Sequence, residues 1–144
     1  MFKSKTYIAT PPGATIKEQL HNRGMKQNEF AMRMDMSEKH ISNLINGKVA
    51  LTEDVARKLE MVLGLPARFW NNLESIYREK LVLVEEENTM EDDIRISKKY
   101  PYSSMAKQGW VKLTNKSKER VTELRKYFEV VNLSFIPFAV AGPS

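Results

Sequence analysis

The 144-residue sequence contains no cysteine and only two histidines. The first absence excludes a disulfide framework, a thiolate zinc cluster and a cysteine nucleophile. The second, with His21 and His40 in unrelated contexts, leaves little to hold a transition metal. No metal and no other cofactor is expected. A glycine-rich phosphate loop, a G-x-S-x-G elbow and a paired carboxylate constellation around either histidine are also missing, so no catalysis is expected. No run approaches the roughly 18 uninterrupted apolar residues of a membrane helix, and the first twenty residues lack the apolar stretch of a secretory signal. A cytoplasmic protein with no membrane association is expected, in which the N-x-S matches at Asn115 and Asn132 have no meaning as glycan acceptors.

What is present suits one compact domain or a small domain with an appendage: 42% apolar and 28% charged residues in a chain long enough to bury a core. The net charge of +5 is unevenly spread. Residues 1–80 carry 13 basic and 9 acidic side chains, residues 81–93 none and 6, and residues 94–144 carry 10 and 3. The acidic stretch, Glu85-Glu86-Glu87 and then Glu91-Asp92-Asp93 with the polar Asn88-Thr89 between, reads as a linker or a solvated helix end. The alternative is a segment that competes with nucleic acid for a basic face.

Residues 15–80 are dense with helix punctuation. Ile16 and Leu20 share a face before Gly24; Phe30, Ala31 and Met34 share a second; Ile41, Leu44 and Ile45 line a third before Asn46-Gly47 stops it. Thr52 caps a fourth helix, with Glu53 and Asp54 in its first turn and Val55, Ala56, Leu59, Val62 and Leu63 as its stripe up to Gly64. Pro66 opens a fifth, in which Phe69, Trp70, Leu73, Ile76, Tyr77 and Leu81 recur at helical spacing. Phe69 and Trp70 suit a core or a dimer interface. The methionines at 25, 32, 34 and 36 suit adaptable packing, with Met32 a candidate for exposure.

Farther on, Tyr100-Pro101 is a break, Tyr102–Gln108 a helical piece ended by Gly109, and Ser117–Val130 an amphipathic helix with Val121, Leu124, Tyr127 and Phe128 on one face. Trp110 is a candidate to pack this part onto the first domain. The segment Val130–Ser144 is apolar but interrupted by Pro137 and Pro143, compatible with a packed extended tail or a strand. The predicted organisation is an all-α protein: an N-terminal arm over 1–14, a five-helix domain over 15–80, an acidic linker over 81–93, a helical interaction region over 94–132 and an apolar tail over 133–144.

The second and third helices are separated by only Asp35-Met36-Ser37, the short connection of a helix-turn-helix. Asp35 stands where the chain needs a left-handed residue, and aspartate is among the few non-glycine residues that visit it. With Ile41, Leu44 and Ile45 turned inward, Lys39, Asn43 and Asn46 point outward, His40 and Ser42 flank them, and Glu38 lies at the N-terminal end. These groups can address base edges or phosphates, and a major groove admits one α-helix.

The stretch Gly24–Gly47, GMKQNEFAMRMDMSEKHISNLING, resembles the lambda-repressor-like, XRE-type helix-turn-helix. With Pro12-Gly13 upstream, and Leu51-Thr52, Ala56, Leu59-Glu60, Leu63-Gly64, Phe69-Trp70, Leu73 and Tyr77 downstream, residues 11–80 resemble its HigA-type antitoxin branch. The resemblance implies a homodimer that binds palindromic double-stranded DNA, represses transcription and has a cognate toxin as a second partner. It implies DNA contacts from Gln27 at the start of helix two, from Glu38, Lys39, His40, Ser42 and Asn43 on the third helix, and to phosphates from Asn46 and Lys48. The sequence departs from the family's pattern at Lys26, where Ser or Thr usually caps helix two, and at Asp35, where Gly is usual; Lys26 can instead reach a phosphate. Residues 94–132, with Tyr100-Pro-Tyr, Lys107-Gln-Gly-Trp-Val and Leu124, Tyr127 and Phe128, are similar to the helical connector of regulators that carry an ImmA/IrrE-type metallopeptidase. The H-E-x-x-H of those peptidases is not present in this sequence. Either the connector serves alone as an interaction surface, or the sequence is a portion of a longer protein.

Overall fold

Seven α-helices, a short two-strand hairpin and one 3₁₀ turn make up residues 2–136, the part of the chain that the computed structural model describes. The chain divides into two units, residues 1–84 and 85–144.

In the first unit, β1 (Phe2–Lys3) pairs antiparallel with β2 (Ile8–Ala9), Phe2 opposite Ala9 and Lys3 opposite Ile8. Residues 2–14 of the segment expected as an arm are therefore folded, and Ala9, Pro11, Pro12 and Gly13 are buried. Pro12, whose ring fixes a helix-compatible φ of −55°, starts α1 (Gly13–Arg23) two residues ahead of the expected boundary at 15. Then follow α2 (Gln27–Met34), α3 (Glu38–Ile45), α4 (Glu53–Leu63) and α5 (Ala67–Ser97). Their inward faces are those of the helical periodicity: Ile16 and Leu20, then Phe30, Ala31 and Met34, then Ile41, Leu44 and Ile45, then Val55, Ala56, Leu59 and Leu63, with Trp70 from α5. Each large apolar side chain buried here stabilises the unit by about 1.5–3 kcal/mol. Met34 is in this core, Met25 and Met36 pack at its edge, and Met32 is exposed. Arg23 ties α1 to α4, its guanidinium donating to the Leu63 carbonyl at 2.7 Å, where the last turn of α4 leaves that oxygen unpaired. A smaller cluster joins the hairpin to α5 through Ala9, Tyr77 and Val84, flanked by Tyr7 and Leu81.

Residues 81–93 are helical throughout, and the boundary between the two units falls among them. They lie inside α5, a helix of 31 residues. No glycine or proline occurs between Pro66 and Pro101, and the acidic stretch is rich in glutamate, a good helix former, so nothing stops the helix where the charge changes sign.

The second unit holds the end of α5, α6 (Tyr102–Lys107), α7 (Ser117–Phe128) and a 3₁₀ turn (Leu133–Phe135). Tyr102, Met105, Val111, Val121, Leu124 and Leu133 form its core. Burial pushes the Tyr102 phenol pKa upward, reinforced by Glu123, and the neutral hydroxyl donates to the Lys112 carbonyl. Asp93, one of the acidic run, is completely buried. One of its oxygens accepts from Arg125 Nε and Nη2 at 2.8 Å and from the Leu133 N–H at 3.1 Å, pinning α7 and the 3₁₀ turn to α5. Leu133 therefore belongs to this core rather than to a separate tail. Ile136 packs against the same core, and only residues 137–144 of the expected tail, with Pro137 and Pro143, lie outside the described residues. Trp110 stacks on Tyr127, rings 6.3 Å apart, and is 57% exposed.

Candidate nucleic-acid interface

The connection between α2 and α3 is made by backbone geometry. Asp35 adopts the left-handed conformation, φ 54° and ψ 48°, and the amides of Asp35 and Met36 donate back to the carbonyls of Met32 and Ala31 at 3.1 and 3.0 Å. These bonds satisfy the carbonyls that end α2 and turn the chain within three residues. Ser37 then caps α3: its hydroxyl accepts from the His40 N–H at 3.1 Å. Sequence reasoning missed this cap, although a serine one residue before Glu38 is its usual signal. At the start of α2, Lys26 has an extended backbone and no side-chain bond to the first turn.

Ile41, Leu44 and Ile45 anchor α3 in the core and fix which side faces out. Glu38, Lys39 and His40 are exposed on its first turn, and Ser42 and Asn43 are half-buried. Gln27 is exposed as the first residue of α2, and Asn46 and Lys48 are exposed beyond α3. The eight residues thus fall on α3, on its exit and at the start of the preceding helix. Asn46 is exposed, and its side chain is also engaged within the helix. Its amide nitrogen donates to the Ser42 carbonyl at 2.9 Å, so it closes the last turn of α3. Within the described residues, none of Lys26, Lys39 and Lys48 forms a salt bridge, whereas Arg33 is paired with Glu29 at 2.9 Å.

The exit of α3 is tightly enclosed. Gly47 has φ 73°, and the Gly47 and Lys48 amides donate to Leu44 and Asn43 at 3.2 and 2.9 Å. A Cβ at Gly47 would lie 2.9 Å from Pro11 Cβ and 3.4 Å from Tyr77 Oη. A Cβ at Gly13 would lie 1.8 Å from the Ile45 carbonyl oxygen, so the start of α1 rests on the backbone of α3 with no room for a side chain. Pro12-Gly13 carried the family resemblance, but nothing in the sequence marked it as the seat of α3.

Known proteins agree with this geometry. A family model described as helix-turn-helix matches residues 16–70. An uncharacterised HTH-type transcriptional regulator of Escherichia coli, YddM, is 35% identical over 80 residues, 56% of this chain and 81% of the relative. The chain belongs to the helix-turn-helix family of transcriptional regulators. Among solved structures, an addiction module antidote protein of the HigA family from Coxiella burnetii matches this regulator with a TM-score of 0.52 and 26% identity, over 58% of this chain and 92% of that one. A protein described as an antidote of a plasmid maintenance system, from Nostoc punctiforme, gives 0.53 and 28%, over 58% and 93%. As a helix-turn-helix regulator the chain is a DNA-binding protein, and α2 and α3 are the elements that define its family.

Proposed function

We propose that the chain is a HigA-like antitoxin that lays α3 in the major groove of a palindromic operator, represses its own operon and binds a cognate toxin. The observation that carries the DNA reading is the division of α3 between an anchored apolar side, Ile41, Leu44 and Ile45, and an outward polar side carrying Glu38, Lys39 and His40. In this reading Lys39 and Asn43 address base edges, with Glu38, His40 and Ser42 beside them, while Gln27, Asn46 and Lys48 hold the backbone. The antitoxin reading is supported by the two solved structures described as antidotes.

A symmetric dimer would match the symmetry of a palindrome, with half-sites about one helical turn apart. Phe69 and Ile76, 37% and 56% exposed and one heptad apart on α5, favour self-association through that helix. Replacing Lys39 or Asn43 by alanine should reduce discrimination between operator and random duplex by roughly 1–3 kcal/mol. Lys48→Ala should weaken both alike. Equal losses on both duplexes for all three variants would contradict base reading by α3. Copurification from the native host tests the second partner: a tightly bound protein encoded beside this one supports the antitoxin role, and a homodimer that never acquires a partner there opposes it.

A further inference from the structure

We infer that Pro11, Gly13 and Tyr77 form a clamp that sets the position of the α3 exit, Ile45 to Lys48, and so act as positioning residues for DNA binding. The inference rests on the reading of α3 as the DNA-contacting helix. Two stretches of chain converge on this exit from different parts of the first unit, residues 11–13 at the start of α1 and α5 through Tyr77. Gly13 brings the backbone of α1 against the Ile45 carbonyl, where an added Cβ would stand 1.8 Å from the oxygen. Pro11 bounds Gly47 at 2.9 Å from the place of its missing Cβ, and Tyr77 Oη closes the same site at 3.4 Å.

All three clamp residues are buried, and two are held stiffly. Pro11 lies in a Pro-Pro pair whose rings restrict the backbone. Tyr77 is wedged between α5 and the hairpin, with the Phe2 ring 6.2 Å away and Ala9 in the same cluster. On the open side of this exit stand Asn46 and Lys48, both exposed. A contact made through side chains could yield by changing rotamers, but the Gly13–Ile45 contact is backbone on backbone. Relieving the clash of a Cβ there takes a displacement on the order of 1 Å, more than the hydrogen bonds of a base-reading helix tolerate. The hairpin and the middle of α5 thereby bear on the helix assigned to the groove without touching DNA themselves.

The test compares the full-length protein with Gly13→Ala and Tyr77→Phe, the second of which keeps the ring and removes only the hydroxyl. Leu124→Val is the control, a core change in the second unit. Each is measured for affinity to the operator duplex that the unaltered protein selects from a random-sequence pool and to a random duplex, for thermal melting, and for amide resonances in the free state. The clamp variants should bind the operator about tenfold more weakly and the random duplex more weakly as well, since Asn46 and Lys48 are assigned to the DNA backbone, with shifted Asn46, Gly47 and Lys48 resonances. Leu124→Val should lower the melting temperature and leave operator affinity intact. Should Gly13→Ala fail to fold, Tyr77→Phe carries the test with the same expected tenfold loss. Clamp variants that bind the operator within twofold of the unaltered protein, or that lose affinity only in proportion to their unfolded fraction, overturn the clamp alone. An unaltered protein that selects no operator overturns the reading of α3, and the inference with it.

Discussion

Lys26 and Thr52 occupy the same place relative to their helices and treat it differently. Thr52 accepts from the Val55 N–H at 3.3 Å, whereas Lys26 leaves the first turn of α2 without a side-chain cap. Lys26→Ser should raise the stability of the chain by about 1 kcal/mol, and Thr52→Ala should lower it by a similar amount. Chemical denaturation of the two variants checks this, and a Lys26→Ser protein no more stable than the original would mean that the lysine is retained by the fold rather than by DNA. Such residue-scale features were unequally legible. Asp35 could be assigned to the left-handed region because a three-residue turn demands it and few residues comply. Gly13 could not be assigned to the α3 seat, because its constraint comes from a carbonyl 32 positions away rather than from neighbours in sequence.

At the scale of elements, the five apolar faces of residues 15–80 were readable because helical periodicity records burial directly. The stretch 81–93 was half legible: composition offered a linker or a solvated helix end, and only the second reading gave its helical state. Charge reversal does not terminate a helix, whereas glycine or proline would, and α5 meets neither before Ser97. Within that stretch Asp93 looked like one more solvated acid, yet it is the polar centre of the second unit, where Arg125 and the Leu133 amide converge on one oxygen. A partner 32 or 40 residues distant leaves no mark in a sequence window. Removing this carboxylate should be costly, since Arg125 would be left without its counter-ion at a largely covered position. Asp93→Ala is expected to destabilise the second unit by about 3 kcal/mol. Hydrogen exchange would register this as lost protection at the Leu133 amide and along α7, and unchanged protection there would contradict the account.

For the whole molecule, the basic excess that surrounds the acidic run acts through counterion release. Operator and random-duplex affinities should both fall linearly on a log–log plot against salt, and Lys48→Ala should reduce that slope by about 1 if the lysine neutralises one phosphate. A slope unchanged by that variant would place Lys48 off the backbone. Outward-facing residues were legible as a set once α3 had an inside and an outside, but which of them meets a base is a property of the complex. Sequence reading by α3 stands or falls on selection of duplexes from a random pool at near-physiological salt, run in parallel with the Lys39→Ala, Asn43→Ala double variant. Enrichment of a palindrome with half-sites about 10 base pairs apart, lost in the double variant, is expected. Enrichment of the same sequence by both proteins, or of none by the unaltered one, would contradict it.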